Sequence, residues 1–232
     1  MGLKVGCAGF SVARQRYFLT LPTVEIGSAF LSPPKPATAA NWRADAPSDF
    51  EFSLPASQII THQADAAGYA KLAGRIPDRR RPFCGHFKDS PEVGLAWEAT
   101  RAAAQALSAR FIVFVTPATF YPDANHLRDM YRFFKNADRG SALFVWQPRG
   151  TWDAKLVGRV CADLSLVRAY DPFEDSVETP RGVRYLRLRG ETYKPEQISA
   201  LRRLGEGTPA YAYFTHRKGW LLARKLGPGG PR

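Results

Sequence analysis

Short hydrophobic runs that alternate with a period of two recur along this chain, separated by stretches whose apolar residues fall at helical spacing. Lys4–Ala8, Thr23–Ile26, Phe50–Leu54, Phe111–Val115, Leu143–Trp146, Leu166–Ala169, Tyr185–Arg189 and Ala210–Phe214 are rich in β-branched or aromatic residues and mostly followed by turn chemistry, which predicts eight strands. The clearest helix is Glu92–Leu107. Ser90 and Pro91 supply its cap and first turn, and Val93, Ala96, Trp97, Ala104 and Leu107 form one apolar stripe. Ala124–Phe134 carries Leu127, Met130, Tyr131 and Phe134 on one face; Asp153–Cys161 and Pro195–Leu204 are similar, and Pro36–Trp42 and Gly68–Leu72 are shorter. Strands alternating with helices predict parallel βαβ units, and eight of them predict an α/β fold, a single (β/α)8 barrel of TIM type. The barrel is irregular, because Ala13–Leu21 has room for only a stub of helix and Asp171–Arg184 reads as a loop. One domain is expected over residues 1–226, with a flexible tail over 227–232.

Side chains alternate across a strand, so the outward face of each barrel strand should be apolar and the inward residues near its C-terminal end should build a site. Val24 and Ile26 point outward and leave Glu25 inward; Phe50, Phe52 and Leu54 leave Ser53 and Pro55. Phe144 and Trp146 leave Gln147, with Arg149 just beyond. Leu186 and Leu188 leave Tyr185, Arg187 and Arg189, while Ala212 and Phe214 leave Tyr211, Tyr213 and Thr215. On the first strand Gly6 and Ala8 would leave open space near the axis. A charge is rarely buried without a partner, so Glu25 needs Arg149, Arg187 or Arg189 close by. One reading is a buried ion-pair network that only fixes the barrel. The other is that the excess of inward arginine leaves guanidinium forks free for carboxylate or phosphate.

Charge points the same way. The 232 residues hold 33 Lys and Arg against 21 Asp and Glu, a formal net charge of +12, and such a field favours anionic small molecules or nucleic acid. No apolar run reaches the roughly 20 residues that span a bilayer. The start, Met1-Gly-Leu-Lys-Val-Gly-Cys7, has no apolar signal stretch, so a cytoplasmic protein without membrane contact is expected. Cys7, Cys84 and Cys161 are widely spaced, which suits a reducing compartment with Cys7 and Cys161 buried as small apolar residues.

In order along the chain, several segments resemble the YecE-like family, also called domain of unknown function 72. They are Val5-Gly-Cys-Ala-Gly-Phe10, Thr23-Val-Glu-Ile-Gly-Ser-Ala-Phe30, Pro36-Ala-Thr with Trp42, and Phe50-Glu-Phe-Ser-Leu with Ile60-Thr-His62. They continue as Trp146-Gln-Pro-Arg-Gly150, Asp171-Pro172, Tyr185-Leu-Arg-Leu-Arg-Gly190 and Tyr211-Ala-Tyr-Phe214. The resemblance spans nearly the whole chain and implies a TIM-barrel-like fold with a polar pocket at the C-terminal ends of the strands. It implies no established reaction. Glu25, His62, Arg149, Asp171 and Arg187 match the family's residue types. Pro55 stands in place of a lysine, Val115 of a glutamine, Gln147 of a glutamate, Arg189 of a histidine and Thr215 of an asparagine, which removes an amine, a carboxylate and an imidazole that could serve acid–base or nucleophilic chemistry.

Other chemistry is thinner. His62, His86, His126 and His216 lack metal-ligand spacing, and the compact pair Cys84 and His86 has no partners of its own type, so neither a metal nor a cofactor is expected. His62 follows the third strand and His216 the eighth, where either can serve proton transfer or cap a loop. Glu25 and Asp171 could form a paired-carboxylate site of glycosidase type. The neighbouring arginines argue against that by keeping both acids ionised. No GxSxG elbow, Walker loop or GxGxxG is present. Arg79-Arg80-Arg81 lies in the longest connection and can touch phosphate backbones or simply face solvent. The expectation is a barrel that binds an anionic, phosphate-bearing ligand, nucleic acid included, at its C-terminal mouth. Arg149, Arg187, Arg189, Gln147 and Tyr213 line the ligand, with Glu25, His62 and Asp171 as the candidate catalytic groups. The alternatives are a non-catalytic nucleic-acid binder or scaffold working through its outer basic surface and, by analogy of fold alone, a metal-dependent phosphodiesterase. Whether the chain is an enzyme, and its oligomeric state, do not follow from the residues.

Overall fold

The computed structural model describes residues 2–64, 76–175, 177, 182–216 and 218–227. The eight strands form as β1 (Leu3–Cys7), β2 (Thr23–Glu25), β3 (Glu51–Pro55), β4 (Phe111–Val115), β5 (Leu143–Gln147), β6 (Val167–Tyr170), β7 (Arg184–Leu188) and β8 (Ala210–Phe214). All their pairings are parallel, in the order β1-β8-β7-β6-β5-β4-β3-β2. The ring closes through one parallel bridge between Ala8 and Glu25, so the residue that closes the barrel is also a candidate site residue. Gly6 explains how β2 comes so near. A Cβ there would lie 2.3 Å from the Thr23 carbonyl oxygen, so β2 backbone fills the space that the sequence reading leaves open at Gly6.

The connecting helices are α1 (Arg14–Phe18), α2 (Pro36–Asp45), α3 (Gln58–Thr61), α4 (Pro91–Leu107), α5 (Ala124–Asn136), α6 (Ala154–Asp163), α7 (Pro195–Leu204) and α8 (Gly219–Leu226). The long ones start where their caps dictate. Ser90 Oγ accepts the Val93 N–H, Asp123 accepts from Asn125 and His126, and Asp153 accepts from Lys155 and Leu156. Sequence periodicity does not foresee α3 and α8. The first is a single turn, and the second has no capping side chain and is held by packing on β1 and β8. The helix expected at Gly68–Leu72 and residues 228–232 of the expected tail lie outside the described residues.

Two layers of side chains follow from the alternation. Val24, Ile26, Phe50, Phe52, Leu54, Phe144, Trp146, Leu186, Leu188, Ala212 and Phe214 all pack outward in the shell between strands and helices. Inside the barrel a separate cluster contains Phe111, Val113, Val145, Tyr185, Tyr211 and Tyr213. This apolar and aromatic plug fills the axis, with polar groups at both ends of the strands: Lys4 pairs with Glu51 at the N-terminal end, and Glu25, Gln147 and Arg187 lie at the C-terminal end. Cys7, Cys84 and Cys161 are all buried free thiols. Among the described residues no helix is long and apolar enough to cross a membrane.

Candidate functional site

Glu25 ends β2 and is fully buried. Its Oε1 accepts a hydrogen bond from Arg187 Nη2 at 2.9 Å, and its Oε2 accepts one from the Tyr185 hydroxyl at 2.8 Å. The other terminal nitrogen of Arg187 donates to Gln147 Oε1. Arg187 on β7 therefore ties β2 to β5, laying a bar of charge and amide over the aromatic plug. Below it the Tyr185 hydroxyl lies 2.6 Å from Ser53 Oγ, and the buried Tyr213 hydroxyl 2.8 Å from Thr23 Oγ1. Burial first, and then the Glu25 carboxylate, push the Tyr185 phenol well above its ordinary pKa, so it stays a neutral donor to Glu25. The carboxylate is thus saturated on both oxygens. The guanidinium is not: Arg187 Nε is buried without a partner.

Arg149 lies two residues past the end of β5. It is exposed, and among the described residues no carboxylate or other side chain is hydrogen-bonded to it. Partial enclosure, then the charges of Arg187 and Arg189, lower its pKa from the usual guanidinium value. His62 directly follows α3, its Nδ1 2.8 Å from Thr61 Oγ1 and its ring edge-on to Phe30 at 5.0 Å between centroids. Burial and then the Arg149 charge hold its pKa down to about 4, so the imidazole is neutral at physiological pH. Gly85 allows the next loop to cross over His62: its φ is +80°, and a Cβ there would lie 2.3 Å from the His62 carbonyl. Gln58 opens α3 three and four residues before Thr61 and His62, hence on the same helical face, and both polar atoms of its buried side chain lack partners.

Asp171 and Arg189 belong to a different construction. Asp171, buried at the end of β6, accepts the backbone N–H of Arg189 at 2.8 Å and that of Phe173 at 3.1 Å. Burial pushes its carboxyl above the ordinary value despite these donors. The Arg189 side chain turns to the loop after β6. Its Nε donates to Glu174 at 2.8 Å and its Nη2 to Asp175 at 2.6 Å, while Asp175 also accepts the Asp171 N–H at 2.7 Å.

Glu25, Gln147 and Arg187 are thus in direct contact, with His62 and Arg149 in electrostatic reach of one another, while Tyr213 sits in the plug and Asp171 with Arg189 form a clasp at one side. The residues that sequence reasoning misses are Tyr185 as the donor to Glu25, Gln58, and the acids Glu174 and Asp175. The signal for the last two is the run Asp171-Pro-Phe-Glu-Asp175 facing an arginine-rich strand.

The remaining histidines lie elsewhere. His86 Nε2 is 3.3 Å from Thr119 Oγ1, His126 Nδ1 is 2.9 Å from the Asp123 carboxylate, and the His216 ring nitrogens are buried without hydrogen-bond partners. Among the described residues no three His, Cys, Asp or Glu side chains gather as a metal site would require. The arginine run is engaged, since Arg80 pairs with Glu92 and Arg81 with Asp78. Surface cavities of about 300 and 320 Å³ lie around Cys84 and around Leu95.

Eight parallel strands that alternate with helices and close into a ring define a TIM-type barrel. The chain belongs to the family described as protein of unknown function DUF72, whose profile matches residues 13–219. No curated protein matches it. Among solved structures, a DUF72 family protein from Enterococcus faecalis V583 is similar with a TM-score of 0.67 at 12% identity, covering 97% of this chain and 95% of that one. A DUF72 family protein from Thermotoga maritima MSB8 gives 0.64 at 12% identity over 97% and 98% of the two chains. A xylose isomerase domain containing protein from Salmonella typhimurium LT2 gives 0.57 at 13% identity over 96% and 94%. Likeness at these identities speaks to the fold.

Proposed function

We propose that the mouth of this barrel binds an anionic, phosphate-bearing small molecule, with Arg149 as its direct partner and the charge of Arg187 behind it. The observation that carries this reading is Arg149, a guanidinium without a carboxylate, placed where Arg187 and Arg189 already raise the positive potential. Like charges repel in a partly enclosed site, and a bound anion relieves that repulsion with charge-assisted hydrogen bonds. Glu25 and Gln147 hold Arg187 in place through one hydrogen bond at each of its terminal nitrogens. Tyr213 supports the floor. His62, neutral beside Arg149, can accept a proton or hydrogen bond from a ligand hydroxyl or a protonated phosphate. Asp171 positions the chain at Arg189 through its backbone bond.

The test is calorimetric titration of phosphate monoesters, pyrophosphate and short oligonucleotides into wild type and Arg149→Ala, with the oligonucleotides repeated at a second, higher salt concentration. A loss of binding of about tenfold or more in the variant is expected, the scale of one charge-assisted contact. Equal affinity in both proteins contradicts the proposal. If oligonucleotides bind in a salt-dependent way that Arg149→Ala leaves unchanged, the partner is nucleic acid on the outer basic surface instead.

A further inference from the structure

We infer that Glu174 is a built-in competitor for the anion site, and that an incoming anion takes over Arg189 Nε from it. The inference rests on the binding function proposed above and adds a third guanidinium to the site together with a control on it. Arg189 is held by two carboxylates that are not equivalent. Asp175 is tied into the fold, because it accepts the Asp171 backbone N–H as well as Arg189 Nη2, and its side chain is 28% exposed. Glu174 is 50% exposed, and among the described residues its side chain has no hydrogen bond other than that to Arg189 Nε. A half-exposed ion pair of this kind contributes little to stability and exchanges readily. Its removal would leave Arg189 aimed as before, since Asp175 on Nη2 and Asp171 on the backbone N–H still fix the residue.

The carboxylate of Glu174 therefore occupies, in the protein alone, a place where a carboxylate or phosphate oxygen of a ligand fits. The Arg189 charge is among the causes that lower the Arg149 pKa. An internal occupant lowers the apparent affinity by the fraction of time it holds the site. For an exposed pair this corresponds to a factor of up to about five.

Titration of pyrophosphate into wild type, Glu174→Gln, Arg189→Ala and the double variant tests the idea. Glu174→Gln should bind up to about fivefold more tightly. Arg189→Ala should bind more weakly than wild type, and adding Glu174→Gln to it should then change nothing. Unaltered or weakened binding in Glu174→Gln, with Arg149→Ala still losing affinity, overturns the competitor role and leaves the proposed function standing. Binding that no mouth variant changes, or no binding by wild type and Glu174→Gln alike, removes both.

Discussion

Arg149 and His62 report on each other. Burial is the larger cause of the low His62 pKa and Arg149 the second, so Arg149→Ala should raise that pKa from about 4 only part of the way to the ordinary value near 6.5. A histidine titration by NMR reads this directly, and an unmoved His62 would disconnect the two residues. The same depression makes stability depend on pH. Between about 4 and 6.5 the unfolded chain binds more protons at this position than the folded one. Stability should therefore fall as pH drops through that window and level off below it, and His62→Gln should flatten the slope in denaturation series run at several pH values. Residue types at the mouth are readable from the chain because inward positions are set by alternation. Pairing is less readable. Arg189 looks like a free cation on β7, yet its side chain leaves the axis for Glu174 and Asp175, acids that lie in a loop with no periodicity to place them.

At the scale of the element, the Glu25–Arg187–Gln147 bar and the β1–β2 seam carry the mouth. Arg187→Ala would strand a fully buried carboxylate, and loss of one partner of a buried pair costs about 3–5 kcal/mol. Arg149→Ala removes an exposed side chain with no partner and should stay within about 0.5 kcal/mol of wild type. Urea denaturation separates them, and equal stabilities would mean that Glu25 does not depend on Arg187. Gly6→Ala should cost about 1–3 kcal/mol, because its new methyl meets the rigid Thr23 carbonyl rather than a movable side chain. A neutral Gly6→Ala in the same assay would contradict so close an approach of β1 and β2. Sequence pattern finds each strand because two-residue alternation survives in even five residues. It does not find α3, which is too short to show a helical period, or the close approach at Gly6, because a missing Cβ says nothing about what fills its place.

At the scale of the molecule, the net charge of +12 sorts into parts with different prospects. Much of the outer surface pairs its cations with acids, as at Arg80 with Glu92 and Arg101 with Glu98 and Asp138, while the mouth holds a guanidinium with none. The barrel fold is readable from the order of elements alone, since alternating strands and helices admit few closed arrangements. The ligand is not, because the same scaffold accepts many chemistries at its strand ends. A crystal structure of the protein with a phosphate ester bound, at a concentration set by calorimetry, tests the central claim most directly. The account predicts the phosphate at about 2.7–2.9 Å from the Arg149 guanidinium, the usual length of a charge-assisted hydrogen bond. Phosphate bound only at the outer arginines, with the mouth empty, would contradict it.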